Sequence, residues 1–311
     1  MTSLLLCGGT GDLGGRIARR LAERGIGYRA LVRPSSDPKA LRALGADIAV
    51  GDLTDRGSLD DAVRGTTTVI TTATAIGRML DGAKDLSIDA VDRDGNIALL
   101  RAAETAGVDR FVFVSSAGLT DGMVARAPFA AAKRQADDAV RASPVPSVVV
   151  RPAPFQELWL GRDAGLMPHK RRVVVFGQGR SRASYVATDD VAEACVRLAL
   201  GADPPDVVWA GGPEALTRHE VVGAFEREMG VRFRRFSVPR PVLAAGARAL
   251  RTRQPAVASA MGAALTMDLE GAVVAPDDLR ALGIEPRATT ARIAEIVRTV
   301  AAVTRQRAAA T

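Results

Sequence analysis

Gly8, Gly11 and Gly14 recur at every third position in the opening segment LLLCGGTGDLGG of this 311-residue chain. A backbone turn that passes close to a diphosphate needs residues without a Cβ, and the helix that follows offers unpaired N–H groups to the anion. Thr10, Asp12 and Leu13 fill the same turn and the first helical positions, so they belong with the glycines in an expected dinucleotide-binding loop. The next informative position lies about 20 residues further on, where a carboxylate would accept bonds from an unmodified adenosine ribose. The chain carries Arg33 there, followed by Pro34, Ser35 and Ser36, with Lys39 nearby. A guanidinium pairs in two-pronged fashion with a 2′-phosphate, which predicts NADPH (NADP) rather than NADH. Asp52 and Leu53 in GDLTD are placed to meet the adenine. Thr72, Ala73, Ser115, Pro154 and Phe155, at the ends of later apolar runs, complete the expected cofactor contacts.

The elements that must position these residues follow from periodicity. SLLLCG (3–8) has no polar alternation and reads as a strand buried on both faces. YRALVR (28–33), DIAVGDL (47–53), TTVITTA (67–73), RFVFVSSAG (110–118) and SVVVRPA (147–153) repeat the signal, separated by helical patterns over 12–25, 37–45, 58–65, 88–107 and 127–143. Strands alternating with helices predict an α/β fold with a doubly wound parallel sheet, whose ligands bind beyond the carboxyl ends of the strands. The rhythm loosens after 152. Residues 171–179 read as a strand and turn, 184–200 as a strand feeding a helix, 206–212 as a returning strand, 213–311 as mostly helical, and the tail after about 304 as frayed. The expected division is a nucleotide-binding core over 1–152, rejoined by 184–212, and a smaller substrate lobe from 153–183 and 213–311.

Composition narrows the class. The net charge is +7, yet only four of the 42 basic residues are lysines (Lys39, Lys84, Lys133, Lys170). The arginines are interspersed with Asp and Glu along helices, as in RIARRLAERG, and no aromatic-rich strand accompanies them, so a nucleic-acid partner is not expected. No run of about 18 apolar residues predicts a membrane span. The opening lacks a secretion signal, and Cys7 and Cys195 make no disulfide framework, so a cytoplasmic setting is expected. With His169 and His219 the only histidines, no metal site is expected. His219 and the Asp189–Asp190 pair sit at helix starts, where capping explains them.

GGTGDLGGRI, LVRPSSDP, GDLTDRGSLDDAVRGTTTVITTA, a lysine in the helix after VSSAG, and VRPAPF together resemble the atypical short-chain dehydrogenase/reductases, in their NmrA-like and isoflavone-reductase-like group. The resemblance covers about residues 1–155 and continues weakly through YVATDDVAEA and GGPEALTRHEV. It implies a Rossmann core, a smaller C-terminal substrate lobe and NADPH. In the wider superfamily a Ser ends the fifth strand, and a Tyr-x-x-x-Lys on the next helix donates a proton to a carbonyl oxygen and holds the nicotinamide ribose. That pattern assigns catalytic roles to Lys133 and Ser116, but its tyrosine position is Phe129, which has no proton to give. Tyr28 and Tyr185 are the only tyrosines, and neither lies on that helix. The angucyclinone ketoreductase type of simocyclinone biosynthesis departs from the pattern in the same way. The expected function is reduction, by NADPH, of an aromatic polyketide-like ketone or quinone in antibiotic or secondary-metabolite biosynthesis, by a monomer or homodimer. The proton then comes from a substrate hydroxyl, water or Lys133. The alternatives are an NADPH:quinone oxidoreductase or a non-catalytic NADP(H)-sensing regulator.

Overall fold

The computed structural model describes residues 3–309. Leu4–Cys7 (β1) places Leu4 and Leu6 against one layer of helices and Leu5 and Cys7 against the other, as strand alternation requires when both faces are covered. The same logic builds β2 (Tyr28–Val32), β3 (Asp47–Val50), β4 (Thr68–Thr71), β5 (Arg110–Val114) and β6 (Ser147–Pro152). Between them run α1 (Asp12–Glu23), α2 (Lys39–Ala43), α3 (Arg56–Val63), α4 (Ile76–Leu80), α5 (Asn96–Ala106), α6 (Asp121–Arg126) and α7 (Pro128–Ala142). Beyond β6 come α8 (Gln156–Trp159), β7 (Leu166–Met167), β8 (Arg172–Phe176), β9 (Arg182–Ser184), α9 (Thr188–Leu200) and β10 (Val207–Ala210). The chain then adds β11 (Ala215–Thr217), α10 (Arg218–Met229), β12 (Arg234–Val238), α11 (Arg240–Ala249), α12 (Pro255–Glu270), α13 (Asp277–Ala281) and α14 (Thr289–Ala309).

Seven parallel strands form the main sheet in the order β10-β6-β5-β4-β1-β2-β3. This is the doubly wound α/β architecture, and its strand order reverses between β1 and β4. On one face, Ile17, Ala18 and Leu21 of α1 pack with Val191 and Cys195 of α9; on the other, Leu59 of α3, Leu99 of α5 and Val140 of α7 close the core. A third cluster joins Leu160, Val173, Tyr185, Val221, Phe225 and Ile293 in a smaller lobe built around the β12-β8-β7 sheet and α10. Cys7 and Cys195 are both buried and unbridged.

Three local expectations change. The 88–107 helix begins as a π-helix over Asp89–Gly95, a widened turn that holds Asp92 and Asn96 fully buried. Residues 234–238, in the stretch read as helical, form β12 beside β8, because a largely exposed RRFSV segment has no apolar stripe to hold a helix. The tail beyond 304, read as frayed, lies within α14, which extends to Ala309. Among the described residues no helix is long and apolar enough to cross a membrane.

Candidate active site

The loop between β1 and α1 is compressed to the point where side chains do not fit. Gly8 has φ +85°, and a Cβ there would lie 2.5 Å from Thr72 Oγ1 and 2.9 Å from Ala73 N. A Cβ on Gly14 would lie 2.2 Å from Gly8 O, so α1 can approach the loop this closely only through a glycine. Gly11 N donates to Gly8 O at 3.0 Å, and Gly11 precedes α1 without a side-chain cap, leaving the helix N-terminus open to an anion. Thr10 is exposed, and the exposed Asp12 carboxylate pairs with Arg16 at 3.0 Å. Arg16 also pairs with Asp189, and Arg20 with Asp189 at 2.9 Å, so α1 is tied to α9.

Arg33 stands half-buried just past β2, with no side-chain ion pair among the described residues, and Lys39 is exposed at the start of α2. Arg78 Nη1 on α4 donates to Ser36 Oγ at 3.4 Å, which brings a second guanidinium to the same loop. Asp52 turns its carboxylate to Thr54, accepting from N at 2.8 Å and Oγ1 at 2.7 Å, while Leu53 is buried beside Gly95. These positions lie along the carboxyl edge of β2 and β3.

Lys133 is buried on α7. Its Nζ donates to Val114 O at 3.1 Å and Ala73 O at 3.5 Å, and lies 3.8 Å from Asp92 Oδ1. The rings of Phe113 and Phe129 approach the ammonium at 4.9 and 5.9 Å. Burial drives the Lys133 pKa down from its ordinary value, against the pull of Asp92 and Asp137. Burial likewise pushes the Asp92 carboxyl up, against the pull of Lys133. Asp92 Oδ2 accepts from Ala75 N at 3.0 Å, but Oδ1 has no hydrogen-bond partner within the protein. Asp92 and Lys133 thus form a buried charge pair behind this end of β4.

Ser115 and Ser116 end β5 with their hydroxyls engaged. Ser115 Oγ donates to Asp137 Oδ2 at 2.7 Å, and Ser116 Oγ to Ala117 O at 3.1 Å. Asp137 also receives Arg151 in fork geometry, Nη2 to Oδ1 at 2.7 Å and Nε to Oδ2 at 3.1 Å. Leu13, Thr72, Ser115, Ser116, Lys133, Pro154 and Phe155 line one cleft of about 1560 Å³ between the sheet and the smaller lobe. Its far wall is apolar, with Trp159, Phe176, Met261, Ala264, Leu269 and Val273. Phe129 also lines it; its backbone N donates to Ser259 Oγ at 3.0 Å, which fixes α7 against α12. Neither tyrosine is among the lining residues.

The sequence reading missed Asp92, Asp137, Arg151 and Trp209. Asp92 had a signal: Asp92, Asn96, Leu99 and Ala103 form one fully buried helical stripe, so a carboxylate occupies an apolar position. His219 takes part in neither loop nor cleft: its Nε2 lies 2.9 Å from Gln178 O, and the adjacent Thr217 and Glu220 form a capping box for α10.

An NAD(P)H-binding family model matches residues 8–201. The chain is 30% identical over 229 residues to the photosystem II assembly factor Ycf39 of Trieres chinensis, covering 73% of this chain and 69% of that protein. It is 31% identical over 252 residues to the ceramide reductase of Caulobacter vibrioides, covering 78% and 75%. Its fold superposes on an NADPH-dependent quinone oxidoreductase of Escherichia coli complexed with NADPH, with a TM-score of 0.74 at 16% identity over 94% of this chain and 99% of that one. The chain belongs to the NAD(P)H-binding family, in the NmrA-like and isoflavone-reductase-like group of NAD(P)H-dependent oxidoreductases. Its cofactor is NAD(P)H.

Proposed function

We propose that this protein is an NADPH-dependent reductase of an aromatic, polyketide-like ketone or quinone that carries its own hydroxyl group. The observation that carries this reading is the buried Lys133 on the wall of a largely apolar cleft, with Phe129 where a proton-donating tyrosine would stand. The cofactor fits the residues present: the loop at Gly8, Gly11 and Gly14 leaves a cradle that a Cβ would fill, and the α1 N-terminus beside it carries no side-chain cap. NADPH supplies the hydride when bound. Gly8, Gly11 and Gly14, with Thr10, Asp12 and Leu13, hold its diphosphate against the α1 N-terminus; Arg33 holds the 2′-phosphate; Asp52 and Leu53 flank the adenine. Thr72, Ala73, Ser115, Pro154 and Phe155 wall the nicotinamide end, and Lys133 holds the nicotinamide ribose.

Phe129 donates no proton, and the hydroxyls of Ser115 and Ser116 are committed to Asp137 and Ala117 O. A hydroxyl next to the substrate carbonyl forms an internal hydrogen bond, polarises the oxygen and supplies the proton. Residues 153–183 and 213–311 serve as the substrate lobe, since Trp159, Phe176 and Met261 come from them.

The deciding experiment is anaerobic NADPH oxidation against quinones, ortho-hydroxyaryl ketones and the methyl ethers of those ketones. The hydroxyaryl ketones should turn over and their ethers should be slowed sharply; equal rates would remove the substrate-assisted step. The same loss of tyrosine favours a second reading, a non-catalytic NADP(H) sensor. Tight NADPH binding with no oxidation by any compound of the panel would support that reading instead.

A further inference from the structure

Trp209 is the third residue of β10, the edge strand of the main sheet, and 41% of its surface is exposed. A tryptophan whose task was to cover the sheet edge would bury its ring; this one leaves it open on the wall of the cleft that Lys133 lines. The ring is held in place from beneath. The Arg151 guanidinium lies over it, Cζ 4.9 Å from the ring centroid. Arg151 is fixed by its two bonds to the buried Asp137, and Asp137 by the Ser115 hydroxyl. Trp209 N donates to Asp278 Oδ2 at 2.8 Å, so the backbone is fixed as well. Val114 O, which receives Lys133, belongs to the residue before Ser115, so this chain of contacts links the indole to the reacting end of the cleft.

We propose that Trp209, stacked on Arg151, is an aryl subsite that takes the distal ring of an extended, planar, multi-ring substrate while its carbonyl end lies near Lys133. The proposal rests on the reductase reading for the carbonyl end, but the subsite is a binding surface and is testable without turnover. A guanidinium already on one side of the ring supplies order, and a flat ligand ring on the other contributes offset stacking at little entropic cost. On this proposal a four-ring ligand engages both Lys133 and the indole, whereas a two-ring ligand engages only the Lys133 end.

The test is calorimetric titration of protein saturated with NADP⁺, which prevents reduction, with 1,4-naphthoquinone and with a tetracyclic hydroxyaryl quinone. Wild type should bind the four-ring ligand more tightly. Trp209→Leu keeps apolar bulk but removes the π-face, and should weaken the four-ring ligand about five- to tenfold while changing the two-ring affinity less than about twofold. Trp209→Phe, which keeps a ring, should restore most of the difference, with NADP⁺ affinity unchanged in both variants. Equal losses for both ligands, no loss for either, or no preference in the wild type for the larger ligand would each overturn the subsite. If the binding contrast holds but neither compound oxidises NADPH, the reductase reading falls and the subsite stands.

Discussion

A buried ammonium that touches two backbone carbonyls, two aromatic rings and a carboxylate has several ways to serve a cofactor. If Lys133 only positions NADPH, Lys133→Met raises the cofactor dissociation constant and saturating NADPH restores most of the turnover. A rate that stays about 100- to 10,000-fold down at saturation would make it the general acid instead. Asp92 sets how long the lysine stays charged. Its carboxylate opposes the downward drive of burial on the Lys133 pKa, so Asp92→Asn removes that support and the lysine loses its proton at lower pH. The alkaline limb of the kcat/KM profile should therefore move to lower pH in Asp92→Asn, with circular dichroism confirming the fold. An unmoved limb would mean the pair does not govern the reaction. At the other end of the cofactor, Arg33→Ala should cost NADPH about 1–3 kcal/mol of binding, the scale of a lost charge-assisted bond, and leave NADH nearly unaffected. Equal losses in calorimetric titrations would rule out the 2′-phosphate contact.

Between residues and the whole chain stand the elements, and in the smaller lobe one carboxylate joins three of them. Asp268, in the last turn of α12, accepts from Gln178 N at 2.9 Å and Gly179 N at 2.7 Å after β8, and from Arg240 Nε at 2.6 Å on α11. Burial alone would raise its pKa; the bonds from Gln178, Arg240 and Gly179 outweigh burial and hold it below the usual 3.8. A carboxyl with a depressed folded pKa contributes its full stability above the unfolded value and loses it as pH falls through the folded one. Asp268→Asn should thus cost about 1.5–3 kcal/mol at neutral pH, and the gap to wild type should close as the melts are taken below about pH 4. A gap independent of pH would show that the charge is not what clamps the turn. This clamp was invisible in the sequence, because Asp268 and its partners lie on three separate segments and two of its donors are backbone groups. The main sheet was legible for the opposite reason. Strands buried on both faces, such as Leu4–Cys7 and Phe111–Val114, carry uninterrupted apolar runs, and helices such as α1 carry a stripe through Ile17, Ala18 and Leu21. The glycine loop was suggested by its spacing, and Lys133 by the resemblance to the reductases. Asp137, Arg151 and Trp209 could not, since they meet only when β6, β10 and α7 are brought together.

At the scale of the whole molecule, cofactor and fold are coupled through the loop between the two halves of the sheet. NADPH at 100 times its dissociation constant should add about 2.7 kcal/mol to stability, read as a rise in melting temperature that Gly14→Ala largely abolishes. A rise of the same size in Gly14→Ala would mean that the close approach of α1 to Gly8 O is not what the cofactor needs. The two cysteines carry a different consequence. Cys7 lies inside the sheet and Cys195 inside α9, and burial raises both thiols, Cys195 to about 12. Quinones are electrophiles that alkylate thiolates, so under the proposed function the protein would be at risk from its own ligand. Here neither sulfur is accessible, and neither ionises at neutral pH. A thiol-titrating disulfide reagent should find no reactive group in the native protein and two after denaturation, and prolonged incubation with excess quinone should leave the intact mass unchanged. Protection of this kind is kinetic, set by the rate at which β1 and α9 open, and any substitution that loosens the α1–α9 layer would expose the enzyme to slow self-inactivation.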